Sequence, residues 1–345
     1  IPVSPSQEGT GTVELELSWP SGAADTILEA TLTAEGGTAQ DISEELSLEG
    51  AGLTYTAPID SGAYLALIRL GNGAAPVAAV VESIHVFDNV TTRYTVAITE
   101  NEIGRPPEAP ENVSYLLTGD NEFSLQWEDG SNVDLGFRIY EGSVDGSPEG
   151  ETGPTATSIL SEDLGYQGSV NEAVTYHIEA YNEVGSSEAV AVTLTPTNAF
   201  RTRWNTANSG ESGSDQIALP LVSNGSYDFT VLWGDGTVTR ITSHDDPQAT
   251  HTYGAPGEYT IEIYGRISGW SFAPTGNPTT GSRDAAKLLE VSAWGPLAFG
   301  DTKGQFGGAA NLLVTATDTP DLSETTSLEG AFRSGLLFWT DTNIG

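Results

Sequence analysis

VELELSW, Val13 to Trp19, alternates apolar and polar residues without a break. A period of two puts alternate side chains on opposite faces of a strand, so this stretch reads as a half-buried β-strand whose apolar face needs a second sheet to cover it. Working outward, TILEATLT (residues 26–33) keeps a similar spacing. LTYTAPIDSGAYLALIRLGNG (53–73) reads as a strand, a proline-containing turn and a second strand. VAAVVESIHVF (77–87) and TTRYTVAIT (91–99) complete the set. Every segment is short and bounded by Gly, Pro, Asn or Asp, the pattern of a β-sandwich. The reading is one Ig-like sandwich over residues 11–104, preceded by a patternless arm with two prolines, residues 1–10.

Composition narrows the function. The 345 residues include 48 Asp and Glu against 12 Lys and Arg, a formal net charge of -36. Such a surface repels nucleic-acid phosphates and anionic lipid headgroups, so neither is an expected partner. It attracts cations and stays hydrated in salt. That fits either adaptation of an exported protein to salty water or divalent-cation binding at joints between modules or subunits. There is no Cys and no Met. Disulfides, thiolate metal sites and a Cys nucleophile are therefore excluded. The chain starts at Ile1, which suggests a processed N-terminus. No apolar run approaches the ~18 residues of a membrane span. The expected location is secreted or cell surface.

After the first sandwich comes IGRPPEAP (103–110), a proline-rich linker. Beyond it FSLQWED carries Trp127, GFRIYEG carries Phe137, Ile139 and Tyr140, and TYHIEAYNEVGSSEAVAVTL carries Tyr176, Ile178, Ala180, Asn182 and Gly185. Residues 105–197 resemble a fibronectin type III domain. The resemblance implies that Trp127 packs in the core and that Tyr176 makes a corner hydrogen bond. No RGD sequence is present, so integrin binding is not implied.

A third unit begins near Phe200. SYDFTVLWGDGTVTRI (226–241) runs into ATHTYGAPGEYTIEIYG (249–265). Gly234, Asp235 and Gly236 read as a tight hairpin turn. Trp233, Asp235, Gly236 and Thr237, with His251, Tyr253, Gly257 and Tyr259, resemble the signature of the PKD family of Ig-like sandwiches. That places a PKD-like domain at residues 198–270. In the rest, residues 271–345, apolar residues are unevenly spaced. Phe306 and Phe332 frame Leu312, Leu313, Pro320, Leu322 and Leu328, a spacing in the 20–29-residue range of leucine-rich coils. The wording around ANL, PDLS and SLEGAF resembles the BspA-like leucine-rich repeats of bacterial surface proteins. The fold class read from the whole chain is all-β: three tandem Ig-like β-sandwiches followed by the start of a leucine-rich-repeat solenoid. The last repeat looks uncapped, so either the natural chain continues or another subunit covers its end.

Catalytic chemistry finds little support. His85 and His177 sit in alternating strand patterns and read as surface residues. His251 belongs to the PKD-like signature, where a structural hydrogen bond is expected. His244 lies in SHDDP beside Asp245 and Asp246, a loop in which solvent is the simpler partner. No GxSxG elbow and no GxxxxGK[ST] loop is present, and paired carboxylates carry no weight in so acidic a chain. Calcium is the candidate cofactor. DGSNVD offers Asp129, Ser131, Asn132 and Asp134, without the twelfth-position Glu of an EF-hand. Asp245 and Asp246 form a second candidate, Asp318 and Asp321 a third. Among the tryptophans, Trp270 in GWSFAPTGNP reads as an exposed contact residue, and Trp294 and Trp339 as solenoid core. NVT at Asn89, NVS at Asn112 and NGS at Asn224 fit the glycosylation pattern.

The sequence therefore describes a non-enzymatic extracellular structural protein: a subunit of a surface filament, sheath or layer that self-associates through its terminal segments. The alternative is a monomeric adhesin that binds a host protein or polysaccharide. A weaker alternative is the accessory region of a secreted polysaccharide-degrading enzyme.

Overall fold

The computed structural model describes residues 9–273 and 283–333. Most of the arm at 1–10, Trp339 and the final segment lie outside the described residues. What is described is all-β, with three short 3-10 turns.

The first unit contains β1 (Thr10–Ser18), β2 (Thr26–Ala34), β3 (Ala39–Asp41), β4 (Ser47–Leu48), β5 (Gly52–Asp60), β6 (Gly62–Asn72), β7 (Ala75–Val86) and β8 (Thr91–Ala97). They form two four-stranded sheets, in the orders β4-β5-β1-β8 and β3-β2-β6-β7. The alternation in β1 does what its period requires: Val13, Leu15 and Leu17 are buried and face Ile68, Leu70, Val80 and Ile84 of the other sheet. β1 runs antiparallel to β5 and parallel to β8, so the sheet is mixed.

The second unit contains β9 (Glu111–Gly119), β10 (Glu122–Glu128), β11 (Gly136–Glu141), β12 (Gly150–Thr152), β13 (Ser158–Leu160), β14 (Val174–Tyr181) and β15 (Val190–Leu194). The sheets are β13-β10-β9 and β12-β11-β14-β15, a three-on-four sandwich. Phe123, Leu125, Phe137, Ile139, Tyr176 and Ile178 fill the space between them.

The third unit contains β16 (Phe200–Asn205), β17 (Gln216–Ala218), β18 (Leu221–Leu232), β19 (Val238–Ile241), β20 (Thr250–Thr252) and β21 (Glu258–Trp270), followed by β22 (Leu288–Ala293), β23 (Leu297–Ala298) and β24 (Leu313–Val314). β19-β18-β21-β16-β22-β24 make one sheet, with β23 added to β21, while β17 and β20 pair separately. The sequence drew a boundary after residue 270, yet the core is continuous across it. One cluster joins Phe200, Trp204 and Trp270 to Trp294, Phe299, Phe306 and Leu312.

The segment after 283 is wound rather than folded back. Its own strands pair in parallel, Glu290 with Leu313 and Val291 with Val314, while β22 also runs antiparallel to β16. Side-chain bonds join residues about one turn of the winding apart: Asn311 to the Ala286 carbonyl (separation 25), Thr315 to Glu290 (25) and Gln305 to the Ser327 carbonyl (22). Phe306 and Phe332 stack at 5.5 Å with planes 6° apart. Gly295 (φ 47°) lets this winding touch the sandwich, since a Cβ there would lie 2.2 Å from Ala199.

Candidate functional site

The residues singled out by sequence divide into three sets. The first is the PKD-like signature, which the fold gathers into one knot. Trp233 donates its N–H to the Thr237 carbonyl at 3.1 Å and closes the hairpin. Gly234 (φ 83°) and Gly236 (φ 90°) occupy the left-handed region that such a turn demands. Asp235 accepts from the Thr237 N–H at 2.9 Å and meets His251 Nε2 at 2.8 Å. The His251 ring stacks on Trp233 at 4.6 Å. Tyr253 donates to the Trp233 carbonyl at 3.1 Å. Partial burial pushes the Asp235 carboxyl up, but the bonds from His251 and Thr237 outweigh it and hold the group below its usual range. The His251 and Tyr253 bonds tie this turn to β20 and the segment after it.

In the second unit Trp127 is buried against Phe137 at 5.2 Å. Tyr176 is fully buried, and its hydroxyl donates to the Glu141 carboxylate at 3.1 Å. Burial, then the nearby Glu141 charge, pushes this phenol well up.

The second set is the acidic loops. Asp245 accepts from Ser243 at 2.7 Å, and Asp246 caps the 3-10 turn Pro247–Ala249 through the Gln248 N–H at 2.9 Å. His244 lies 3.8 Å from Asp245. Asp318 accepts from the N–H groups of Trp294 and Gly295, at 2.9 and 2.8 Å, and Asp321 from that of Ser323. Asp246, Asp318 and Asp321 fasten backbone, and Asp245 fastens a side-chain hydroxyl.

The loop between β10 and β11 differs. Asp129 accepts from the Ser131 N–H at 2.9 Å, and Ser131 Oγ accepts from the Val133 N–H at 3.2 Å. Asp134 is 3% exposed, and its Oδ2 has no hydrogen-bond partner. Burial first and the Asp129 charge second push its carboxyl up to about 7. Among the described residues no three His, Asp or Glu side chains converge as a metal-binding group.

The third set corrects or escapes the sequence reading. Trp270 is not an exposed contact residue. It ends β21, is fully buried, and packs against Phe200 at 5.2 Å and Phe272 at 5.9 Å. The proline and glycines after it gave the segment a loop-like look, but its neighbours come from β16 and, through Phe306, from the winding beyond. Trp294 is buried among Phe299 and Phe306. His85 is exposed, whereas His177 is half-buried with an unpartnered Nδ1. Sequence reasoning passed over Lys287, which is fully buried. Its Nζ donates to the carbonyls of Ser212, Gly213 and Gln216, at 3.2, 2.7 and 2.9 Å, and to Ser212 Oγ. Asp284, also fully buried, lies 3.8 Å from Nζ and accepts from the N–H groups of Ser212 and Ala218. Burial pushes the Lys287 ammonium down, and Asp284 opposes that shift. The one available signal was scarcity: the chain has two lysines.

The joints between units are also built. Val133 belongs to a loop of the second unit but is fully buried in the first unit's core. Asn182 donates to the carbonyls of Arg105 and Val133, at 2.9 and 3.3 Å. Arg69 of β6 pairs with Glu29 at 2.7 Å and also with Glu183. At the second joint, Gly265 donates to Thr197 Oγ1 and Ala199 to Asp120, at 2.9 and 2.7 Å, while Tyr264 sits in the second unit's core.

No family model matches this chain, and no curated protein matches it. Among solved structures, a fibronectin type III protein titled FN3tt is 19% identical over 26% of this chain and 95% of its own, with a TM-score of 0.23. A two-domain fibronectin type III segment of chicken tenascin is 9% identical over 49% of this chain and 84% of its own, TM-score 0.23. The spore cortex lytic enzyme SleM of Clostridium perfringens is 19% identical over 26% of this chain, TM-score 0.23. The chain spans 28% of the length of SleM. Likenesses of this size carry no argument about function, and the sandwich description rests on the strand pairings above.

Proposed function

We propose that this protein is a non-enzymatic, extracellular structural subunit of a bacterial surface filament, sheath or layer, in which jointed β-sandwiches hold a leucine-rich winding at a fixed distance. The observation that supports it is the construction of the joints. A module meant to swing needs only a flexible linker, and domain motion is the default where the interface is small and polar. Here Val133 is inserted into the neighbouring core, and scarce cations are used at both joints, Arg69 on Glu183 and Arg201 on Asp120. The signature residues support the same reading, since Trp233, Asp235, His251 and Tyr253 are engaged with one another. The winding after residue 283 is read as the start of a solenoid, whose coils stack on like coils.

The test is electron microscopy of the purified chain over a rising concentration series, with a parallel assay for binding to immobilised glycans and matrix proteins. Filaments or sheets with a regular repeat support the subunit reading. Particles that stay monomeric at every concentration and bind an immobilised ligand overturn it in favour of an adhesin. Polysaccharide hydrolysis by the chain alone overturns both.

A further inference from the structure

We infer that the loop Asp129–Asp134 is a calcium site that stiffens the first joint. The argument starts from the Asp134 carboxylate. It is 3% exposed, and one of its oxygens has no partner. A buried carboxylate left unpaired is costly, and such groups are normally hydrogen-bonded, paired or bound to a metal. Among the described residues no Arg, Lys or His forms an ion pair with it, and Asp129 stands close enough for its charge to disfavour ionisation. A second carboxylate so near is what a cation would need and what an isolated buried acid would avoid.

The rest of the loop supplies the right donors. Ser131 and Asn132 add neutral oxygens between the two aspartates, and Asn132 is exposed. Asp129 uses Oδ1 for the Ser131 N–H, which leaves Oδ2 to turn toward an ion. All donors are hard oxygens, with no imidazole or thiolate among them. That set suits calcium, which accepts carbonyls, amides, carboxylates and water in irregular geometry, better than zinc or the strictly octahedral magnesium. The other acidic loops lack this feature, because Asp245, Asp246, Asp318 and Asp321 already accept hydrogen bonds.

Position gives the site its consequence. Val133 lies between the ligands and inserts into the first unit's core, while Asn182 ties its carbonyl to the linker at Arg105. An ion held by Asp129 and Asp134 fixes the loop that carries Val133, and so fixes the joint. The binding stands on the loop alone; only its mechanical role rests on the proposed structural function.

The experiment is a calcium titration of the full chain by calorimetry, after chelator treatment, in about 0.15 M sodium chloride to screen diffuse binding by the acidic surface. Wild type should bind one calcium with a Kd on the order of 0.1–1 mM, the range of extracellular modules. Its melting midpoint should rise with calcium. Asp134→Asn and Asp129→Asn should each weaken binding by about tenfold or more and abolish the rise, whereas Asp245→Asn should match wild type. Asp129 is exposed, so its variant keeps the test valid should Asp134→Asn fail to fold. Absence of saturable binding in wild type, or equal binding in the Asp129→Asn variant, overturns the site. Assembly without calcium binding sinks the site alone, and binding by a chain that never assembles sinks the structural role alone.

Discussion

Asp284 in the third unit and Asp134 in the second are both buried aspartates, and they are treated in opposite ways. Asp284 is 0% exposed and receives the Ser212 N–H at 3.0 Å, the Ala218 N–H at 2.8 Å and the Lys287 ammonium at 3.8 Å. Asp134 is 3% exposed and keeps an oxygen without a partner. Where the fold supplies a buried cation, the carboxylate acts as a structural anchor. Where it supplies none, the carboxylate either takes a proton or takes a cation from solution. The comparison separates a stabilising network from a binding site by what each buried charge faces.

The comparison breaks first at Lys287. Lys287→Met should destabilise the third unit by about 3–5 kcal/mol, because Asp284 is left as an uncompensated buried charge. Urea unfolding followed by tryptophan fluorescence measures it, and a loss below about 1 kcal/mol would show that the network is dispensable. Next is the pH response of Asp134 in chelator. Its carboxyl moves from the usual 3.8 to about 7 on folding. An acid whose folded value is raised keeps its full contribution below the unfolded value and loses it as pH climbs through the folded one. Stability of the second unit should therefore fall from pH 3.8 toward pH 7 without calcium, and Asp134→Asn should flatten that fall. A wild-type profile no steeper than the variant's would remove the anomaly from Asp134.

A smaller effect is expected at Gly210, where a Cβ would stand 2.3 Å from Asp284 Oδ1 and 2.7 Å from Lys287 Cε. Gly210→Ala should cost about 1–3 kcal/mol by forcing the anchor apart. The smallest effect belongs to the exposed acidic loop. Asp246→Ala removes a cap from a three-residue turn and should cost about 0.5–1 kcal/mol, with no change in calcium binding. A larger loss of calcium there than at Asp134 would reverse the assignment of the two loops.

Much of the fold was legible because a strand writes its burial into alternate positions. Val13, Leu15 and Leu17 could be placed on an inner face from spacing alone, as could Tyr176, Ile178 and Ala180. The hairpin at Gly234 to Gly236 was legible because few residues other than glycine accept its backbone angles. Trp270 was misread because its partners Phe200 and Phe306 are distant in sequence, and no short period links them to it. The acidic loops looked alike because Asp134 and Asp245 are the same residue in similar polar strings.

Sequence by itself determined the all-β class, the sandwich strands, the acidic surface and the exclusion of thiol chemistry, since each depends on residue type or local periodicity. Tertiary structure alone decided which aspartate lost its water, which lysine lay inside, and that one core runs past residue 270. Burial is set by what the rest of the chain places around a residue, and no local pattern records that.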